Sequence, residues 1–436
     1  MTLFSRLAGA SALSCLAACG GGPAPSPTAG YGADPAMPAP HHRLIPVVHV
    51  AKAGGWAVGA APAAPPGFVV TRFAEGLDHP RQLYVLPNGD VLAALSATEP
   101  GKPRSIIDTV MAAIQNYVGA SEKSPNRIVL LRDGDGDGKA EVVSTLLTGI
   151  NQPFGMALWD GRMYVAATDA VWRYPYQLGQ TTLVSTGEKV MDLPHGPGHW
   201  TRNLLVSRDG QKLYVSVGSA SNIADGGMAR EARRADILEV DPDGGHERVF
   251  ASGLRNPNGM AFEPETGALW TVVNERDMLG DDTPPDYLTS IADGGFYGWP
   301  YSYWDPRVDA RVKPQAPQLV ARAIKPDYGL GAHTASLGLA FYVAGPFPAQ
   351  YRGGAFIGQH GSWNRTAFSG YKVLFVPFKG GRPSGPPQDF LTGFLRNDGK
   401  TENGRPAGVA VDARGALLVA DDVGGVVWRV AAQPLR

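Results

Sequence analysis

Apolar and polar residues alternate with a period of two along most of this chain, and the alternating runs come in pairs joined by tight turns. Residues 77–95 read LDHPRQLYVLPNGDVLAAL, 150–168 INQPFGMALWDGRMYVAAT and 200–218 WTRNLLVSRDGQKLYVSVG. Residues 254–273 read LRNPNGMAFEPETGALWTVV, 333–342 HTASLGLAFY running into YRGGAFIGQHG at 351–361, and 404–422 GRPAGVAVDARGALLVADD. Most open on a turn, enter a strand, reverse at a glycine-containing turn such as Asn88-Gly89, Asp209-Gly210 or Arg414-Gly415, and continue as a second strand. Six such units separated by further strands predict an all-β fold, a six-bladed β-propeller of four-stranded antiparallel blades over residues 67–436. In such a ring the opening turns gather at one end of the central channel. One stretch breaks the pattern. Residues 106–118 carry Ile107, Val110, Met111, Ile114 and Val118 at helical spacing and predict a surface helix.

The N-terminal 66 residues belong to a different regime. Arg6 precedes an apolar run, residues 7–16, too short to cross a bilayer, and the run ends in Leu16-Ala17-Ala18-Cys19. Residues 1–19 read as a bacterial lipoprotein signal with Cys19 lipidated, which predicts an exported protein anchored to a membrane, the outer membrane facing the periplasm. Residues 20–66, rich in Pro, Ala and Gly, read as a tether of which only the end, residues 44–50, begins to look structured, and His41-His42 within it receive no role. The chain has 2 cysteines, Cys15 and Cys19, so the domain beyond them has no disulfide, thiolate zinc site or C-x-x-C-H haem attachment.

Composition narrows the function. With 18% charged residues, a formal charge of −1 and no basic run, the chain lacks the clustered positive charge that nucleic acid demands. The 56 glycines and 37 prolines suit many turns, and 44% hydrophobic residues suffice for a core. The richest chemistry lies in 253–300. Arg255 and Asn256 sit at a strand entrance as donors for an anion or carbonyl, and the acidic loop 274–286 offers oxygens to a hard cation. Arg255-Asn256-Pro257 also reads as a plain turn, and the acids as a solvated loop. A second calcium candidate is the alternating run Asp133-Gly134-Asp135-Gly136-Asp137-Gly138; it equally reads as a hairpin turn, because Ser144 occupies the position where an EF-hand places its bidentate acid.

Taken together, GHWTRNLLVSRDGQKLYVSVGS, GLRNPNGMAFEP, NERDMLGDD, GGFYGWP, GQHGSWNR and GRPAGVAVD resemble the sorbosone dehydrogenase group of quinoproteins. Those are relatives of the soluble glucose and aldose sugar dehydrogenases that use pyrroloquinoline quinone (PQQ), and the resemblance runs from about residue 67 to 430. It implies His199 as the general base that removes a sugar hydroxyl proton, with Arg255 and Asn256 beside the quinone carbonyl. It implies Gln152, Arg202, Thr334, Arg365 and Arg405, with Arg255 and Asn256, as cofactor-binding residues, and Lys372 at a matching blade. It implies calcium held by the backbone carbonyls of Arg276, Asp277 and Met278, supported by Asp281 and Asp282. The chain reads Glu-Arg-Asp-Met where the glucose enzymes have Gly-Pro, and Arg365 stands in for their cofactor lysine. The expected activity is oxidation of a small sugar at its anomeric or aldehyde carbon, with electrons leaving to an external acceptor. A calcium-dependent sugar-lactone hydrolase and a non-catalytic ligand-binding propeller are the alternatives.

Overall fold

The computed structural model describes residues 26–41, 47–99, 117 and 123–433. Cys19 and the signal segment, and all of the helix expected at 106–118 save residue 117, lie outside the described residues.

Six antiparallel sheets form a ring. Blade 1 holds Pro80–Val85, Val91–Leu95, Arg127–Arg132 and Val142–Thr148. Blade 2 holds Met156–Trp159, Arg162–Ala166, Ala170–Pro175 and Glu188–Asp192. Blade 3 runs through Leu204–Val206, Leu213–Val217, Asp236–Val240 and Arg248–Ser252, and blade 4 through Pro257–Phe262, Leu269–Val273, Pro285–Ser290 and Tyr328–Ala332. Blade 5 holds Ser336–Phe341, Ala355–Gln359, Lys372–Val376 and Gln388–Leu391. Blade 6 takes Pro406–Val411, Leu417–Asp421 and Val426–Ala432, and its outermost strand, Phe68–Glu75, comes from the other end of the domain. That pairing closes the ring by joining the two ends of the domain in one blade. Two blades exceed the expected four strands. Gly295–Phe296 pairs in parallel with Arg248–Ser252, and Tyr31–Gly32 adds to Tyr328–Ala332.

Burial follows the ring. Second strands such as Val91–Leu95, Leu269–Val273, Ala355–Gln359 and Leu417–Asp421 are buried at every residue, because a neighbouring blade covers each face. Outer strands such as Val142–Thr148 are exposed at their ends. The apolar clusters lie between blades rather than within them. One joins blades 1 and 2 through Leu92 and Met163, another joins 4 and 5 through Trp270 and Ile357, and a third joins 6 and 1 through Leu418 and Leu83. First strands neighbour one another around the axis. There the backbones approach so closely that a Cβ on Gly155 of blade 2 would meet Leu204 N of blade 3 at 2.3 Å. Each interface therefore holds two blades in place. Trp270→Ala, which empties a fully buried position between blades 4 and 5, is expected to cost about 4 kcal/mol. Urea denaturation checks this, and a loss under about 1 kcal/mol would mean that the interface collapses onto the cavity.

The segment expected as a free tether is docked over its described residues. Ser26 N donates to Asp282 Oδ2 (2.8 Å), Thr283 Oγ1 to Pro38 O (2.9 Å), and His41 N to Leu279 O (2.9 Å). Further on, Lys52–Ala53 pairs with Thr401–Glu402, and Trp56 Nε1 donates to Asp421 Oδ2 (2.7 Å). Glycine, alanine and proline carry few side-chain contacts, but their backbone groups bind as well as any others.

Candidate functional site

The opening turns converge at one end of the ring. Inner strands of blades 1, 4, 5 and 6 each shift register within their first residues, between Pro80 and Gln82, Pro257 and Met260, Ser336 and Gly338, and Pro406 and Val409. Such bulges re-aim side chains at the strand mouth.

On the blade 3 and 4 side, His199 Nδ1 lies 3.0 Å from Ser219 O and 3.1 Å from Ser219 Oγ. Ser219 Oγ gives its own proton to Ser221 O at 2.7 Å. Both neighbours of Nδ1 are therefore acceptors, so Nδ1 carries the ring proton and Nε2 presents its lone pair. Among the described residues Nε2 has no hydrogen-bond partner. Burial, with the Arg255 charge nearby, lowers the His199 pKa from 6.5 to about 3. The imidazole is neutral.

Arg255 is fixed from several directions. Its guanidinium donates to Glu275 O (2.6 Å), Asn222 Oδ1 (3.0 Å) and Asp277 Oδ2 (3.3 Å). Asn256 Nδ2 donates to Asn274 Oδ1 (3.1 Å), and Asn274 Nδ2 to Ser336 O (2.5 Å). The second bond sets the Asn274 amide, and through it that of Asn256. The Asn256 Oδ1 is left buried without a partner among the described residues. Gly218 separates Asn256 from His199: a Cβ built there would lie 2.2 Å from Asn256 Oδ1 and 2.6 Å from His199 Cβ. Ser219 N bonds Arg255 O at 2.8 Å, so the two turns are stitched together.

Two further residues, Asn222 and His333, complete this side, and three more face them across the mouth, none of them singled out from the sequence. Asn222 bridges Arg255 and the 276–278 loop, accepting from Asp277 N (2.9 Å) and donating to Asp277 O (3.1 Å). His333 places Nδ1 3.2 Å from Asp277 Oδ1 and Nε2 2.8 Å from Gly280 O. Burial alone would lower its pKa, but Asp277 more than offsets this and raises it. Across the mouth, Arg81 Nη1 pairs with Asp422, and His360 Nε2 lies 2.9 Å from the same carboxylate. The Arg81 guanidinium also sits over the Trp200 ring, 5.4 Å from its centroid, which ties the two sides together next to His199. A signal for Arg81 existed. It follows Pro80 just as Asn258 follows Pro257 at the start of an inner strand.

Several expected ligands are committed elsewhere. Arg202 is fully buried and spends its guanidinium on the carbonyls of His199 (2.9 Å), Thr201 (2.9 Å) and Pro194 (2.7 Å). It braces the His199 turn from behind. Gln152 donates to Ala97 O (2.8 Å) and accepts from Thr168 Oγ1 (3.1 Å). Thr334 Oγ1 donates to Asp286 Oδ2 at 2.9 Å. Arg365 bonds Asp281 O (2.9 Å) and Asp282 Oδ1 (2.7 Å), and Lys372 pairs with Asp389 (2.5 Å). Arg405 keeps Nε 2.9 Å from both Glu402 oxygens and Nη2 3.2 Å from Tyr371 Oη. Of the arginines expected to bind cofactor, three are matched by an acid, Arg255 by Asp277, Arg365 by Asp282 and Arg405 by Glu402, as is Arg81 by Asp422, whereas Arg202 meets only backbone carbonyls.

At the 276–278 loop, whose backbone carbonyls were expected to hold calcium, the Asp277 carbonyl is engaged within the protein. Asp277 O accepts from Arg276 Nε (3.0 Å), Arg276 Nη2 (2.9 Å) and Asn222 Nδ2 (3.1 Å), and Arg276 Nη1 pairs with Asp309. Met278, at φ 71, gives its N–H to Asn364 Oδ1 (3.2 Å). Among the described residues, acidic groups with metal-binding spacing gather instead at the turn between Arg127–Arg132 and Val142–Thr148. There Asp133, Asp135, Asp137 and Glu141 bring ligand atoms within 4.8 Å of one another. Asp133 also accepts from Gly136 N (2.6 Å) and Gly138 N (3.1 Å), as a hairpin turn requires. Arg414, at the far end of the blade 6 inner strand, reaches Asp133 at 3.3 Å, so this cluster lies opposite the mouth.

Comparison with known proteins places this architecture. A family described as TrAA12-like matches residues 118–286 and 316–433. An uncharacterized protein of Borreliella burgdorferi is 28% identical over 311 residues, 67% of this chain and 79% of that protein. A pyrroloquinoline quinone-dependent pyranose dehydrogenase of Coprinopsis cinerea is 26% identical over 330 residues, covering 62% of this chain and 44% of that longer protein. The solved holo form of a pyranose dehydrogenase PQQ domain from Coprinopsis cinerea superposes with a TM-score of 0.69 at 22% identity, over 88% of this chain and 100% of that one. At that identity the likeness speaks for the fold.

Proposed function

Because the chain belongs to the TrAA12-like family, we propose that it is a PQQ-dependent dehydrogenase. Its substrate is a sugar oxidised at the anomeric or aldehyde carbon, an aldose or a sorbosone-like ketoaldehyde, and a separate acceptor takes the electrons away. The observation that carries this reading is the neutral His199, with Nε2 open and Nδ1 anchored, beside Arg255 and Asn256 in a channel mouth.

The mouth has unfilled polar valence of the kind such a cofactor would meet. Among the described residues, buried Arg81 Nε has no acceptor and buried Asn256 Oδ1 has no donor. Arg81, Arg405 and Asn256 are the residues that would hold the quinone; Arg405 keeps Nη1 unpaired among the described residues. When bound, PQQ supplies the hydride acceptor. His199 Nε2 takes the proton of the substrate hydroxyl as the C–H bond breaks. Ser219 holds the ring in the tautomer this needs, and Arg202 holds the turn that carries it. Arg255, immobilised by Asn222 and the Glu275 carbonyl, supplies fixed positive charge next to the reacting centre without reorganising during the step. Because the Asp277 carbonyl is already engaged, no step is assigned to calcium at 276–278. A lactone hydrolase would need several carboxylate or amide side chains converging on a metal in the channel; among the described residues, the acids of metal-binding spacing sit at the opposite end.

The test is titration of the full chain with PQQ, following cofactor absorbance, then dye reduction on a panel of aldoses and sorbosone. One PQQ per chain with sugar-dependent dye reduction is expected. Absence of binding at micromolar PQQ would refute the reading.

A further inference from the structure

The docked N-terminal segment pairs with the outer edge of blade 4 through Tyr31–Gly32 and also touches the loops that carry the candidate site. Residues 26–41 lie along the 279–283 loop, through the bonds to Asp282, Thr283 and Leu279. Arg365 Nη2 reaches back to Ser26 O (3.3 Å) while its Nε holds Asp281 O. Residues 47–49 meet the 363–368 loop: His49 N bonds Trp363 O (2.9 Å), and the His49 ring stacks on Phe368 with centroids 4.0 Å apart. At the blade 6 end, Trp56 packs edge-on against Trp428, centroids 5.0 Å apart. Its Nε1 binds Asp421, the buried carboxylate that also accepts from Arg405 N (2.7 Å) and Gly424 N (2.9 Å).

One side chain couples the segment to the site directly. Asn364 Nδ2 donates to Val47 O at 2.6 Å, and its Oδ1 accepts from Met278 N at 3.2 Å. Met278 is adjacent to Asp277, which bonds Arg255 and His333, and its backbone is in the left-handed region that a non-glycine residue adopts only when its surroundings hold it there. The other contacts hold the same loop: His41 N on Leu279 O, and Thr283 on Pro38 O.

We propose that residues 26–41 and 47–56 form a positioning strap, and that Asn364 transmits its docking to the 277–280 loop and so to Arg255. The proposal rests on the PQQ reading above. It makes the strap part of the binding-competent mouth, although it contributes no group that touches substrate. By thermodynamic reciprocity a strap that tightens cofactor binding is itself held tighter by the cofactor.

Calorimetric titration of the full chain with PQQ, wild type against Asn364→Ala and Asn364→Asp, tests this. Asn364→Asp keeps an acceptor for Met278 N but loses the donor to Val47 O, so it separates strap coupling from loop bonding. Both variants are expected to bind PQQ about tenfold more weakly, with apo thermal midpoints near wild type. A loss of one site-ordering hydrogen bond is of that size. The second readout is proteolysis within residues 26–56, which PQQ should slow in wild type and much less in either variant. Affinities within twofold of wild type, with unchanged protease protection, would overturn the strap and leave the dehydrogenase standing. A wild-type chain that fails to bind PQQ overturns both.

Discussion

His199→Ala should reduce sugar-dependent dye reduction about a thousand-fold while leaving PQQ affinity within a few-fold of wild type. General-base contributions typically span ~10²–10⁴, and the upper part of that range fits a base anchored at Nδ1 by Ser219, whose lone pair is already aimed. The pH profile adds a second signature. Burial and the neighbouring Arg255 both disfavour the imidazolium, so the pKa falls to about 3 and the neutral base is populated at any pH above that. The rate should therefore show no protonation limb near 6.5, the ordinary histidine value. The sign for stability follows as well. The unfolded chain protonates this ring near 6.5 and the folded protein only near 3, so the folded state loses stability as pH falls through that window. A tenfold or smaller loss in the alanine variant would remove His199 from the chemistry. An acid limb centred near 6.5 that disappears in the variant would show that the ring titrates normally.

Gly218→Ala ranks second. No hydrogen bond is removed and no charge changes. The added Cβ would stand 2.2 Å from Asn256 Oδ1 and 2.6 Å from His199 Cβ, both far inside contact distance, so at least one of the two must move. Misplacement of a reacting group by about 1 Å can cost ~100-fold, and that loss is expected in kcat/KM with the circular dichroism of the sheets retained. Activity within threefold of wild type would mean that the mouth tolerates displacement of these two groups, contrary to their assigned roles. His199→Ala removes a group, whereas Gly218→Ala moves it; agreement between the two would show that position as well as identity matters.

Much of the architecture could be read from the chain. Each of the six alternating units became the first two strands of a blade, because a strand's alternation and its turn glycines are local properties. The His199, Arg255 and Asn256 turns were legible for the same reason, as each lies in one contiguous motif. Arg81, His333, His360, Asp422 and Asn222 were not, because their meaning arises only across blades. Arg81 and Asp422 are 341 residues apart in the chain and joined by an ion pair. Arg202 and Arg365 were expected as ligands from the family resemblance, but the fold turns their donors to backbone carbonyls and to Asp282.

Sequence alone determined the all-β ring, its strand pairs and the identity of the chemically capable residues, since hydrophobic period and turn chemistry act within a few residues. Tertiary structure alone decided which arginines are already paired, which histidine nitrogen is free, and that residues 26–41 and 47–56 are docked rather than loose. The last case gives the reason most plainly. The strap is held largely through Ser26 N, Pro38 O, His41 N and Val47 O. Backbone groups are the same in every residue, so only the path of the chain in space can show what they bind.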